Sequence, residues 1–239
     1  MLDANATAQL KKYLELVSLP IELAASLDDS SASARMRELL GEIAALSPLM
    51  SVVEESNPRT PSFAIRRAGT EVEVRFAGLP MGHEFSSLVL ALVQVGGHAP
   101  RLDEETAEAV RRLEGGEFVT YMSLTCQNCP TVVQALNTMS VINPRIRHVA
   151  VEGGAFKDEV EALGIKVAPG IDHAALPADA HVQWVSVGGD VVEAGIWCGP
   201  LAPEGPGRSV LIMRSGANGA STHTLTDSSV TDPSEPPVQ

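Results

Sequence analysis

The hydrophobic period of this chain changes abruptly between Phe118 and Met139, and two cysteines stand at the change. Phe118, Thr120, Met122 and Leu124 alternate with Val119 and Tyr121, the two-residue period of a strand. Val132, Leu136 and Met139 then recur one or two helical turns apart. Between the runs lies Cys126-Gln127-Asn128-Cys129-Pro130. A strand that feeds directly into a helix implies an α/β layering, because each element has an apolar face that the other covers. The position also sets the chemistry. Unpaired N–H groups and the positive end of the helix dipole favour a thiolate, so such thiols commonly titrate below their usual value of about 8.5. Cys126 is then the exposed nucleophile, and Cys129, one turn further in, the thiol that resolves a mixed disulfide. Pro130 suits a first helical turn, where no N–H is lost. Two other readings stay open from the residues alone. The pair fits half of a structural zinc site, although only Cys198 and scattered histidines remain as further ligands. It also fits two buried thiols that meet by chance.

Upstream, Asp3 caps an expected helix with Leu10, Tyr13, Leu14 and Val17 at helical spacing. Ile21 to Leu27 reads as a buried strand. A second helix follows Asp28-Asp29-Ser30-Ser31, with Met36, Leu39, Leu40, Ile43 and Leu46 on one stripe. A strand is expected near Met50 to Glu54. Phe63 and Ile65, then Val72, Val74 and Phe76, alternate on either side of Gly69-Thr70 and predict a hairpin. Phe85, Leu88 and Leu92 place one face of a closing helix inward. The order is α-β-α-β-β-β-α, and after a short helix at about Glu104 to Leu113 it starts again. Residues 1–100 and 101–197 therefore read as two copies of one structural unit.

The second copy loses its pattern after Leu163. Residues 182–192 suggest a hairpin turning at Gly188-Gly189. From Pro200 onward the chain is rich in Gly, Pro, Ser and Thr, and 198–239 is expected to be a disordered tail whose last residues, Ser228 to Gln239, cannot bury a core. The formal net charge of −13 argues against nucleic acid or an anionic membrane as partner. No apolar run approaches the roughly 18 residues of a membrane span, and Met1-Leu2-Asp3-Ala4-Asn5 has no signal-peptide character. A cytoplasmic location is expected, where a close cysteine pair is more often catalytic, redox-sensing or metal-binding than a permanent staple.

Several segments together resemble the N-terminal region of the F subunit of alkyl hydroperoxide reductase. They are Met1-Leu2-Asp3-Ala4-Asn5, residues 22–29, residues 82–92 beginning Gly82-His83-Glu84-Phe85, the Cys126-to-Pro130 motif, Val133-Gln134-Ala135-Leu136-Asn137 and Asn143-Pro144-Arg145-Ile146. The resemblance covers about residues 1–165. It implies two tandem thioredoxin-like folds, mixed sheets flanked by helices, with the dithiol only in the second. The family's dithiol falls on Cys126 and Cys129, and its helix-borne glutamate near the dithiol falls on Glu84. A helix-start acid favourable to the dipole is the alternative for Glu84.

Thr60-Pro61, just before a strand, is a candidate for the cis proline usual in thioredoxin folds, with a trans loop proline as the alternative. Ala168-Pro169 is its counterpart in the second unit. Trp197-Cys198-Gly199-Pro200 copies the start of the thioredoxin signature, but Leu201 stands where a resolving thiol belongs, so Cys198 reads as an ordinary cysteine. His83 and His148 read as surface or structural histidines.

The resemblance further implies that electrons pass from a flavin-dependent reductase, carrying FAD and NADH, to a peroxiredoxin. This chain itself is expected to bind no cofactor and no metal. Its one stretch reminiscent of a dinucleotide turn, Val210 to Gly219, has Arg214 at the first glycine position. The expectation is a dithiol–disulfide oxidoreductase module in hydroperoxide detoxification. The rival reading is a non-catalytic thioredoxin-like binding module or an inactive truncated product.

Overall fold

In the computed structural model, residues 1–126 and 129–162 are described in full, and the backbone is described for the strands at 181–188, 191–198, 209–216 and 219–226. Chain contacts divide the molecule into Met1–Ala168 and Pro169–Gln239, where the sequence suggested boundaries at 100 and 197.

The first unit follows the expected order. Helix α1 (Ala4–Leu14) starts where the Asp3 carboxylate accepts the Ala6 N–H at 2.7 Å. Leu10 and Leu14 face inward, but Tyr13 is 51% exposed and does not join their face as expected. Strand β1 (Ile21–Ser26) leads to α2 (Ser31–Ala45), capped by Ser30, whose hydroxyl accepts from the Ser33 N–H. The α2 stripe of Met36, Leu39, Leu40 and Ile43 is fully buried. Strands β2 (Met50–Glu54), β3 (Ser62–Arg67) and β4 (Glu73–Ala77) follow, then a 3₁₀ turn at Gly82–Glu84 and helix α3 (Phe85–Val95). Strand β1 pairs parallel with β2 and antiparallel with β3, and β3 pairs antiparallel with β4 as the predicted hairpin.

The repeat restarts with α4 (Glu104–Arg112), β5 (Gly116–Met122), α5 (Cys129–Ile142), β6 (Ile146–Glu152) and α6 (Lys157–Ala162). Strands β5 and β6 are parallel, like β1 and β2. The two copies share one mixed sheet, ordered β2-β1-β3-β4-β6-β5, because β6 also pairs in parallel with β4. Strand alternation decides what that sheet buries. Ile65, Val74, Phe63 and Phe76 point to one face, and the Phe63 and Phe76 rings stack with centroids 5.6 Å apart. Helix α3 packs on β3 and β4 and also against α5, so the closing helix of the first copy touches the cysteine-bearing helix of the second.

In the second unit, β7 (His181–Gly188), β8 (Val191–Cys198), β9 (Ser209–Gly216) and β10 (Gly219–Thr226) form an antiparallel sheet in the order β10-β9-β8-β7. The β7–β8 pairing is the hairpin expected around Gly188-Gly189. Strands β9 and β10 fall within the segment read as tail. Their β-branched residues, Val210, Ile212, Thr222, Thr224 and Thr226, are favoured in extended chain. Residues 227–239 lie outside the described residues.

Candidate active site

Parallel pairing with β6 carries the chain out of β5 at its C-terminal end, and the helix head meets it there. Cys126 precedes α5, and Cys129 is its first residue, three positions later than the helix start expected near Cys126. The two sulfurs are bonded, with Cα atoms 5.5 Å apart. The Cys129 N–H donates to the Cys126 sulfur at 3.1 Å. A backbone donor of the helix head therefore already points at Cys126, the contact that stabilises a thiolate once the bond opens. Both cysteines are partly exposed, and Cys129 packs against the main core. Pro130 is the second residue of the helix, so its missing N–H costs no intrahelical bond. Residues 127 and 128 lie outside the described residues.

The 3₁₀ turn before α3 is held against the cysteine loop. The His83 N–H donates to the Leu124 carbonyl at 3.1 Å. Gly82 makes this approach possible: its φ is +58°, and a Cβ there would stand 2.5 Å from the Leu124 oxygen. The turn also packs on α5. It delivers Glu84, whose side chain is fully buried and whose two carboxyl oxygens, among the described residues, make no hydrogen bond of ordinary geometry. Burial pushes the Glu84 carboxyl above the usual carboxylate range, and the nearby Ser87 hydroxyl opposes this more weakly. A lone buried acid on the turn that touches the cysteine loop is unusual. Glu84 stands at the head of α3, the helix-start position of the alternative reading, and is buried there.

Pro61 is buried and its bond to Thr60 is cis. It does not stand beside the dithiol. It precedes β3, and both β4 and β6 separate β3 from β5. At about 4.8 Å per strand, that is roughly 14 Å. It belongs to the corresponding corner of the first copy, where the Ser26 and Thr60 hydroxyls lie 2.9 Å apart. There the helix head holds a carboxylate instead of sulfur. Asp28 accepts from the hydroxyls of Ser30 and Ser33, which draw its pKa down to about 2. Pro169, the candidate for the second copy, lies outside the described residues, as does the side chain of Cys198.

His148 is a satisfied core residue. Its Nδ1 lies 2.6 Å from the Asn137 Oδ1 and its Nε2 2.9 Å from the Thr120 Oγ1, and burial lowers its pKa to about 3. His83 is exposed.

Three clusters were not visible in the sequence. Arg59, in the loop before Pro61, grips Glu159 of α6 at 2.5 Å, and the Tyr121 hydroxyl donates to the same carboxylate. Arg66 and Arg75 share Glu55 and Glu73 on the sheet face opposite Phe63 and Phe76. Gln134 of α5 reaches Ser86 and Ser87 of α3. The first and last join residues 100 and 47–48 positions apart, beyond any local pattern, although Val133-Gln134-Ala135 lies inside a segment that carries the resemblance.

Among the described residues, no group of three or more His, Cys, Asp and Glu is arranged to hold a metal ion. A pyrophosphate turn runs from strand into helix, whereas β9 pairs with β10, with Gly216 opposite Gly219.

A mixed sheet flanked by helices, with a Cys-x-x-Cys disulfide at a helix head, defines a thioredoxin-like module. The F subunit of alkyl hydroperoxide reductase from Pseudomonas aeruginosa is 56% identical over 173 residues, 72% of this chain and 33% of that protein. The protein of the same name from Escherichia coli K12 is 49% identical over 174 residues, again 72% and 33%. Over its N-terminal part, then, the chain is a homologue of the alkyl hydroperoxide reductase F subunit, and it spans about a third of the length of the curated relatives it matches. The NTD_N/C domain of alkylhydroperoxide reductase AhpF from Enterococcus faecalis superposes with a TM-score of 0.65 at 23% identity, covering 70% of this chain and 88% of that one. A protein disulfide oxidoreductase from Aeropyrum pernix gives 0.59 at 22%, covering 70% and 82%. Both likenesses speak for the fold. No protein-family model matches the chain.

Proposed function

We propose that this chain is a dithiol–disulfide oxidoreductase that relays electrons to a peroxiredoxin-type partner in hydroperoxide detoxification. The observation that carries the reading is the Cys126–Cys129 disulfide at the head of α5, with a backbone N–H directed at Cys126. In the reduced protein the Cys126 thiolate attacks one sulfur of a partner disulfide, and the partner's other sulfur leaves as a thiolate. Cys129, losing its proton, then attacks Cys126 and re-forms the intramolecular bond. The second partner sulfur leaves and is protonated. Two electrons pass to the partner. Glu84 is the buried group whose carboxylate takes up the proton of Cys129 and later returns it, a role that suits an acid whose pKa burial has raised, because its ionised form is a stronger base. Pro130 keeps the helix head open. Pro61 shapes the corner of the first copy.

The electron donor is a separate flavin-dependent reductase, which carries FAD and uses NADH. This chain binds neither. No helix among the described residues is long and apolar enough to cross a membrane, and we place the relay in the cytoplasm, where reducing conditions keep such a pair cycling.

A reconstituted assay with NADH, a flavin-dependent reductase and an oxidised peroxiredoxin tests the proposal. NADH consumption dependent on this chain is expected, and Cys126→Ser should lower it at least about 100-fold, because the attacking thiolate is gone. Cys129→Ser should instead accumulate a mixed disulfide with the acceptor, visible on a non-reducing gel. No consumption above the background without this chain would favour a binding module or an inactive product. Strand β5 bears on that alternative. Among the described residues it is paired on one side only, whereas β1, its counterpart, is paired on both.

A further inference from the structure

Among the described residues the buried Glu84 carboxyl has no hydrogen bond of ordinary geometry, and a chain of side chains from the dithiol helix ends at Ser87, three residues further along the head of α3. The Gln134 amide on α5 donates to the Ser86 hydroxyl at 3.1 Å and to the Ser87 hydroxyl at 3.3 Å. Ser86 passes its own hydrogen on, donating to the His83 carbonyl at 3.0 Å. Ser87 is fully buried and, among the described residues, makes no such return to the backbone. Its hydroxyl accepts from Gln134, so its hydrogen is left for the neighbouring carboxyl one turn back. The groups that face Glu84 are few. Helix α3 carries no ionisable side chain, α5 carries only Cys129, Cys126 lies just before α5, and His83 is adjacent in the chain but exposed.

We propose that Gln134 and Ser87 are positioning residues that aim a hydroxyl donor from the dithiol helix at the Glu84 carboxyl. The Gln134 amide occupies an acceptor position of the Ser87 oxygen and, unlike Ser86, Ser87 makes no bond to a backbone carbonyl among the described residues, so its hydrogen stands ready for the ionised form of Glu84. The catalytic meaning of this arrangement rests on the reading of Glu84 as the proton site of the dithiol. The arrangement itself does not.

The test is a carbon-13 NMR titration of Glu84 in the full chain labelled at glutamate carboxyls, with the resonance assigned by its loss in Glu84→Gln. Ser87→Ala and Gln134→Leu should each raise the Glu84 midpoint by about 0.5–1 unit, the size one hydrogen bond supports. The double variant should go no further than either single change, as expected of residues acting through one contact. Gln134→Met, which keeps the chain length without the amide, serves if leucine disturbs the helix. Midpoints unchanged from wild type, or shifts that simply add, would overturn the proposal. The pH profile of Cys129 alkylation in reduced Cys126→Ser protein separates the two ideas. If Glu84→Gln leaves that profile unchanged while the midpoints shift as stated, the proton-site reading falls and the positioning of Ser87 stands.

Discussion

At the scale of single residues, two buried ionisable groups set how this module responds to pH, and they act in opposite directions. Glu84 has a raised pKa. The unfolded chain gives up that proton more readily, so the stability tied to the protonated form is complete below the unfolded value of 4.5 and is lost as pH rises through the folded value. Glu84→Gln should therefore have a higher urea midpoint than wild type at pH 7, and the difference should close near pH 4. A variant equal to or weaker than wild type at pH 7 would contradict this. His148 has a lowered pKa, about 3 against 6.5. The stability supplied by its neutral ring is complete above about 6.5 and is lost as pH falls toward 3. The slope is up to about 1.4 kcal/mol per pH unit. His148→Gln should flatten the loss of stability between pH 6.5 and 4.5, and parallel curves for the two proteins would rule the effect out. The two groups were not equally legible beforehand. Glu84 was visible only through its place in a familiar segment. His148 was expected only as a surface or structural histidine, because its partners Asn137 and Thr120 lie 11 and 28 residues away.

At the scale of elements, a glycine and an ion pair hold the candidate site together. Gly82 lets the 3₁₀ turn touch the carbonyl of Leu124. Gly82→Ala should destabilise the protein by about 1–2 kcal/mol, from the positive φ alone, and more if the turn cannot move aside. It should also slow dithiol exchange by withdrawing Glu84. An unchanged denaturation midpoint and exchange rate would show that the turn is not the support described. The Arg59–Glu159 pair with Tyr121 fixes α6 to the loop before Pro61. Most of the elements were legible because each has a local cause. Asp3 and Ser30 cap α1 and α2. The alternation of Phe63 and Ile65, and of Val74 and Phe76, makes β3 and β4. Cross-element contacts such as Gln134 to Ser87 have no local cause. Tyr13 shows the limit of a pattern: it has helical spacing with Leu10 but lies at the edge of the buried stripe.

At the scale of the molecule, the repeat was legible as element order, but its consequence was not. Two copies of one pattern suggested two domains, whereas the parallel pairing of β4 with β6 makes a single sheet. No sequence period encodes such a junction, because it depends on backbone hydrogen bonds between distant strands. The sheet lies wholly within Met1–Ala168, so a chain ending at Ala168 should unfold in one cooperative step with a urea midpoint close to that of the full chain. A broad transition, or loss of the fold, would show that the remaining residues are needed. The two heads of the repeated βαβ unit also explain why one copy alone carries the chemistry. Asp28 uses its carboxylate to hold the hydroxyls of Ser30 and Ser33 at the head of α2, whereas the head of α5 presents sulfur.

The proposed function requires above all that Cys126 and Cys129 pass reversibly between bonded and free forms in the folded protein. Equilibrating the full chain across a series of reduced and oxidised dithiothreitol, then counting free thiols by mass after alkylation, tests this directly. Both thiols should appear together in a single two-electron transition while the circular dichroism stays constant. A pair that never closes, never opens, or opens only as the protein unfolds would contradict it.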